Sequence, residues 1–258
     1  MRRSPISLIL AAAVWLMLSA GGVAAQDVAR WQGFYVGAHA GYATGEWSFD
    51  LSKSSGDMIY NDPFGSGDHK IDAQAAFGGI AAGLNKQYGS IVVGLEVDGS
   101  FTDLSSSERF QTLPGHACGP VSCTAWDVSA KLDAFGTARG RLGYVAGPFL
   151  FYATGGVAFA QVETTYGAED ISTGKDIHMM RVSDKSNHIG WAAGGGIEWA
   201  MTEQLSIKAD YIYVDLGSVD YDPTGTTSPT STTPWHEKVS ADLQFHTVRI
   251  GVNYKFGD

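Results

Sequence analysis

Apolar and polar residues alternate along this chain with a period of two. The clearest instance is FHTVRIGVNYKF, residues 245–256, where His246, Val248, Ile250, Val252, Tyr254 and Phe256 interleave with Thr247, Arg249, Gly251, Asn253 and Lys255. That period belongs to a β-strand, whose successive side chains point to opposite faces. One face here is oily and ends in two aromatics, while the other carries Arg249, Asn253 and Lys255. Alternation alone equally suits an edge strand of a soluble sandwich, so the rest of the chain decides what the oily face touches.

The pattern recurs upstream. Residues 33–49 set Phe34, Val36, Ala38, Ala40 and Tyr42 against Gly37, His39 and Gly41. Further strands are predicted over 76–88, 91–102, 128–145, 149–162, 188–200 and 205–216. In the fourth, Leu132, Ala134, Ala138, Leu142 and Tyr144 oppose Lys131, Asp133, Thr137, Arg139 and Arg141. Polar, aperiodic stretches follow each odd strand, to about residue 75 and over 103–127, 163–187 and 217–243, whereas even strands end in tight turns near 86–90, 146–148 and 201–204. The predicted fold is all-β: an eight-stranded antiparallel up-and-down transmembrane β-barrel with four long external loops and three short periplasmic turns.

The polar face separates this fold from a soluble lipocalin-like barrel, which turns its apolar face inward around a ligand and would not hold many charges there. Glu96, Asp98, Arg139, Arg141, Glu198, Lys208, Asp210, Arg249 and Lys255 all fall opposite the oily positions. Facing lipid, each Arg or Lys would cost about 2–4 kcal/mol, so these nine are expected inside as a network of paired charges. An eight-stranded barrel is just wide enough for side chains to fill, and the expected lumen is plugged, not a general diffusion pore. Aromatics gather near the short turns (Trp31, Tyr88, Tyr144, Phe149, Trp199, Tyr254, Phe256) and at the opposite ends (Trp47, Phe101, Trp126, Trp191, Tyr213). Two such bands are expected to be membrane-interface girdles.

The first residues add a compartment. Arg2 and Arg3, an apolar run over 6–18, and Val23-Ala24-Ala25 before Gln26 have the pattern of a secretory signal peptide, so residues 1–25 are expected to be cleaved and 26–258 to form the barrel domain. Past the leader there is no run of ~18 apolar residues for a transmembrane helix. Without Arg2 and Arg3 the formal charge moves from −10 to −12, which disfavours nucleic acid as a partner. Cys118 and Cys123, the two cysteines of the chain, are expected to staple one loop as a disulfide in an exported protein. A zinc site using them with His116 stops at three ligands, one short of the usual structural set.

No catalytic, cofactor-binding or metal residues are assigned. Lipid chemistry would need a nucleophile beside a positioned base, and His39, His188 and His246 have no serine near them in sequence that forms such a set. Haem or metal capture by His69, His116, His178 with Met179 and Met180, and His236 is a weaker alternative.

Seven motifs carry a family resemblance: Trp31-x-Gly-Phe-Tyr-Val-Gly, Val93-Gly-Leu-Glu-Val-Asp, Thr137-Ala-Arg-Gly-Arg-Leu-Gly-Tyr, Tyr152-Ala-Thr-Gly-Gly-Val-Ala-Phe, Gly194-Gly-Gly-Ile-Glu, Lys208-Ala-Asp-Tyr-x-Tyr-Val-Asp and the closing His246-to-Phe256 stretch. Together they resemble the small outer-membrane β-barrel proteins of alphaproteobacteria, the "porin family" related to the transmembrane domain of OmpA. The resemblance implies an outer-membrane location, a non-enzymatic structural and surface-interaction role in the cell envelope, and no cofactor. A narrow porin for small solutes, or haem or host-factor binding through the loops, are the alternatives. The partners it implies are outer-membrane lipid and lipopolysaccharide, external ligands at the loops, and the assembly machinery. That machinery reads a C-terminal signal which Arg249, Gly251, Tyr254 and Phe256 resemble, although Gly257 and Asp258 follow the final aromatic.

Overall fold

The computed structural model describes residues 30–54, 68–111, 124–170, 177–221, 224–226 and 234–256. The leader, His116, Cys118 and Cys123 lie outside the described residues, as do the side chains of His69, His178, Met179, Met180 and His236. The strands are β1 (Gly33–Ser54), β2 (Asp68–Tyr88), β3 (Ile91–Gln111), β4 (Thr124–Ala146), β5 (Phe149–Asp170), β6 (Ile177–Ala200), β7 (Leu205–Tyr221), β8 (Thr224–Thr226) and β9 (Pro234–Phe256).

Each strand from β1 to β6 pairs antiparallel with the next, and β7 pairs with β9. Closure comes from β9 on β1, in register from Phe34 opposite Phe256 to Ser54 opposite His236. The three-residue β8 pairs only with the start of β9, so the wall has eight strands. Closing the sheet removes the free edge that an open one would present. At one end the wall turns tightly through Gly89 and Gly147, at φ 61° and 59°, where a left-handed backbone favours glycine. The third turn is held by Thr202, whose Oγ1 accepts from the backbone N–H groups of Gln204 (3.2 Å) and Leu205 (2.9 Å).

The outer surface of the lower wall is oily. Ile80, Leu84, Leu95, Val97, Phe101, Leu142 and Ile189 are all exposed there, an arrangement tolerable only against hydrocarbon. Tyr88, Tyr144, Tyr254 and Phe256 ring the short-turn end, with Phe101 and Trp191 at the other. Trp31 departs from the expected girdle: it is buried beside Val92, Val145, Leu150 and Tyr152, inside the short-turn mouth. It precedes β1 and is not bound by the strand's alternation. The side chains of Trp47 and Trp126 lie outside the described residues.

Two further expectations need correction. The strands run far beyond the predicted ends, to Ser54, Gln111, Asp170 and Tyr221 on the ascending arms, so a large part of each predicted long loop is strand. Above the oily belt the outward positions turn polar, as at Asp103, Ser105 and Ser107 on β3 and Asn187 and Lys185 on β6, so the period-two signal fades while the backbone ladder continues. In β4 the inward face also changes parity. Pairing to β5 jumps from Leu132–Val162 to Ala134–Gln161, leaving Asp133 as an extra residue, a β-bulge. Below the bulge Phe135, Thr137, Arg139 and Arg141 point inward; above it Leu132 and Ala130 do. Lys131 and Asp133 consequently face outward, where Lys131 pairs with Asp133 (2.9 Å) and Asp103 (3.3 Å).

Two ladders stop early. β2–β3 pairing ends at Phe77–Thr102 and β6–β7 pairing at Trp191–Asp215. The other ladders continue upward, to Gln111–Ala125, Thr124–Asp170, Asp170–Ile177, Asp50–Asp68, Ser54–His236 and Tyr221–Val239. The upper wall is therefore two four-stranded sheets, β3-β4-β5-β6 and β2-β1-β9-β7, separated by seams on opposite sides.

Candidate functional site

Half-way up the lumen the inward positions of β3, β4, β6, β7 and β9 converge on one ionic layer. Glu96 accepts from Arg139 Nη2 (2.7 Å), Lys208 Nζ (2.8 Å) and Arg249 Nη2 (3.4 Å). Asp98 accepts from Arg139 Nη2 (2.7 Å), Arg249 Nη1 (3.2 Å) and the Thr137 hydroxyl (2.5 Å). Arg249 Nε also donates to Asp210, and Arg141 Nη2 to Glu198. Four carboxylates thus meet four cations, all buried, and the layer is formally neutral. Burying charge is tolerable when it is paired and hydrogen-bonded, and a shell of neutral groups adds to the pairing, while Arg141 Nε and Nη1 find no hydrogen-bond partner among the described residues. Tyr35 donates to Glu96 (2.8 Å), Tyr152 to Asp210 (2.9 Å), and Ser206 (2.5 Å) and Asn253 (2.7 Å) to Glu198. Arg141 lies over the Tyr152 ring, 3.7 Å from its centroid, a cation–π contact. Tyr35 reaches Glu96 by crossing Gly83, where an added Cβ would sit 2.3 Å from the Tyr35 ring.

Of the nine charges expected inside, eight meet in this layer. Lys255 does not: it lies half-buried at the short-turn mouth, where its Nζ donates to the Arg30 carbonyl oxygen at 2.6 Å. Parity puts it on the inward side, but its height puts it at the rim. The neutral partners Tyr35 and Tyr152 were not visible in sequence, because each acts on a strand that is not its neighbour.

The ionic layer lies between two apolar ones. Toward the short turns sit Trp31, Val92, Val145, Leu150 and Tyr152. On the other side Phe77, Phe135 and Phe245 stack edge to face at centroid distances of 5.4 and 5.2 Å. Above these lie Leu104, Leu132, Val162, Leu216 and Leu243. His39 lies under Phe77 with its Nε2 2.8 Å from Ser100 Oγ, a Ser–His contact hidden from sequence by a separation of 61 positions. Its buried Nδ1 has no hydrogen-bond partner among the described residues.

On the outer surface above the belt, a row of alternating charges crosses the strands. Lys131 is opposite Glu163, which is opposite Lys185. Hydrogen bonds from Lys185 and then Ser183 hold the Glu163 carboxyl below its usual range, and those to Asp133 and Asp103 raise the Lys131 ammonium.

An oily outer belt around a closed antiparallel wall with a neutralised polar lumen is the geometry of an outer-membrane barrel, and the family model for the outer membrane protein beta-barrel domain matches residues 13–256. The chain belongs to that family. This outer-membrane barrel is 33% identical over 245 residues to the 31 kDa outer-membrane immunogenic protein of Brucella melitensis, covering 92% of this chain and 89% of that one. It is 28% identical over 195 residues to the 22 kDa outer membrane protein of Rhizobium leguminosarum bv. viciae, covering 74% and 67%. Among solved structures, the outer membrane protein OprG of Pseudomonas aeruginosa aligns at a TM-score of 0.48 and 15% identity, covering 90% of this chain and 100% of that one. The barrel is a bacterial outer-membrane protein, with its short turns at the periplasmic end and its long arms external.

Proposed function

We propose that this outer-membrane barrel is a closed structural and surface-interaction component of the cell envelope, with no enzymatic activity and a lumen that does not conduct solutes. One observation carries the reading: the lumen is crossed by a formally neutral layer of four acids and four bases, with apolar side chains packed on both sides. A water-filled path would have to displace Phe77, Phe135 and Phe245 and also break the ion pairs, and separating a buried pair costs about 3–5 kcal/mol. The external arms then carry the variable chemistry on a rigid scaffold. Relatives named as outer-membrane immunogenic proteins are in keeping with arms that are reached from outside. The oily belt suits outer-membrane lipid and lipopolysaccharide as surroundings, and Arg249, Gly251, Tyr254 and Phe256 serve as the assembly signal. Planar-bilayer recording of refolded protein tests the closed lumen: no resolvable steps are expected, and large stable conductance steps would overturn it. Deletion tests the envelope role, through detergent sensitivity and vesicle release. Unchanged values for both would refute it.

A further inference from the structure

The two upper seams are not alike. Across β2/β3 the side chains take over where the ladder ends: Thr102 Oγ1 donates to the Ala76 carbonyl and Ser106 Oγ to that of Asp72, each at 3.3 Å. At β6/β7 the last contact is Gly190, where an added Cβ would fall 1.9 Å from the Asp215 carbonyl oxygen and 2.7 Å from Leu216 Cα. Above that vertex no backbone pairing joins β6 to β7 among the described residues. Next to it β7 breaks its register with β9 between Asp215 and Ser218, with Gly217 at φ 75° and its N–H donating to Asp215 Oδ1 (2.9 Å).

What flanks this seam is apolar on both sides of the wall. Outside, Ile189 and Trp191 are exposed, the last oily positions of β6 before Asn187 and Lys185, so the unpaired part of the seam begins at the outer edge of the hydrocarbon belt. Inside, Ala160 and Val214 lie level with their register partners Phe135 and Phe245, and Val162 and Leu216 follow above them in the same apolar cluster. Along the inner edge of β6, Ser186 Oγ and His188 Nε2 lie 2.8 Å apart. The route from membrane to upper lumen thus crosses no ion pair of the lumen layer and has a polar lip.

We propose that the β6/β7 seam is a lateral entry through which the upper lumen takes the tail of a single-chain amphiphile, such as a fatty acid, from the outer leaflet. The tail replaces contacts among Ala160, Val162, Val214 and Leu216 with its own, and the head stays at the Ser186–His188 lip. The ionic layer forms the floor, so the site is reached sideways and leads nowhere below. This goes beyond a closed envelope component and does not need the lumen to conduct.

The test is photolabelling of refolded protein in phosphatidylcholine vesicles with a fatty acid carrying a diazirine near its tail end, mapped by mass spectrometry. The expected result is saturable labelling of the inward positions 160, 162, 214 and 216, competed by unlabelled fatty acid. In Leu216→Asp, labelling at those positions should fall about ten-fold, the effect of ~1.4 kcal/mol, with heat-modifiable gel migration unchanged to show that the barrel still forms. Leu216→Ile serves as the apolar control and should label like the parent. Labelling confined to outward positions such as Ile189 and Trp191, or unsaturable labelling, would overturn the proposal. Conductance recorded on the same preparation reports on the closed lumen independently, so either reading can fail without the other.

Discussion

Neutrality of the lumen layer makes a quantitative prediction for the Lys208–Glu96 pair. Glu96→Gln removes the negative charge 2.8 Å from Lys208 Nζ, keeping one neutral amide oxygen as acceptor, and leaves Asp210, at 3.9 Å, as the remaining carboxylate facing that ammonium. The layer is then one positive charge in excess, and a buried charge without its partner costs about 3–5 kcal/mol. Lys208→Met leaves Glu96 with Arg139 at 2.7 Å and Arg249 at 3.4 Å, so its cost should lie near the lower limit, ~3 kcal/mol. The double variant restores neutrality with a side chain of similar length in place of Lys208. It should therefore be more stable than the sum of the single losses requires, by roughly 2–3 kcal/mol. Urea unfolding in phospholipid vesicles, followed by tryptophan fluorescence and shown to be reversible, measures all four proteins. Raising the salt should change the coupling little, since buried pairs are poorly screened. Additivity within about 0.5 kcal/mol would refute charge balance as what holds the layer together.

Three other outcomes follow from the packing. Phe135→Ala removes the middle ring of the Phe77–Phe135–Phe245 stack and should cost about 3–5 kcal/mol in the same unfolding assay; it should still not conduct, because the ionic layer below is untouched. Leu95→Arg places a cation on the exposed belt and should destabilise the barrel by about 2–4 kcal/mol, whereas Ser107→Arg on the external part of β3 should stay within about 0.5 kcal/mol. Phe256→Ala removes a ring packed on Tyr254 (5.0 Å) and Phe34 (5.9 Å) at the barrel's closing seam. It should lower the yield of heat-modifiable barrel in cells far more than it lowers the stability of the barrel that does assemble.

The parts legible in sequence were those on which hydrocarbon acts. Between the short turns and Phe101, Val157 or Ile189, lipid on one side and a filled lumen on the other enforce strict alternation, and parity alone separates Leu95 from Glu96 and Ile207 from Lys208. Above the belt that constraint is absent, so the external halves of β3 and β6 read as loop although their ladders hold. Parity also fails at the Asp133 bulge, which one extra residue creates and no local motif announces, so Lys131 and Asp133 exchange sides with Ala130 and Leu132. Height along the barrel is a second variable that alternation does not contain: Lys255 shares the parity of Arg249 but lies at the rim. Partner choice was the least legible, since Arg141 passes over its neighbours on β3 and β5 to reach Glu198 on β6, a link across the lumen that depends on barrel diameter.

The distribution of the eight charges has a consequence for how the wall can be put together. The β3–β4 hairpin carries Glu96 and Asp98 with Arg139 and Arg141, and β6, β7 and β9 carry Glu198 and Asp210 with Lys208 and Arg249. Each group sums to zero before the two meet. Either half can approach the bilayer without carrying a net ionic load into it, and the contacts that join the halves, Lys208 to Glu96, Arg249 to Glu96 and Asp98, and Arg141 to Glu198, need the sheet curled into its cylinder. Closure is thus rewarded at its last step, by exchange of partners between two self-balanced pieces.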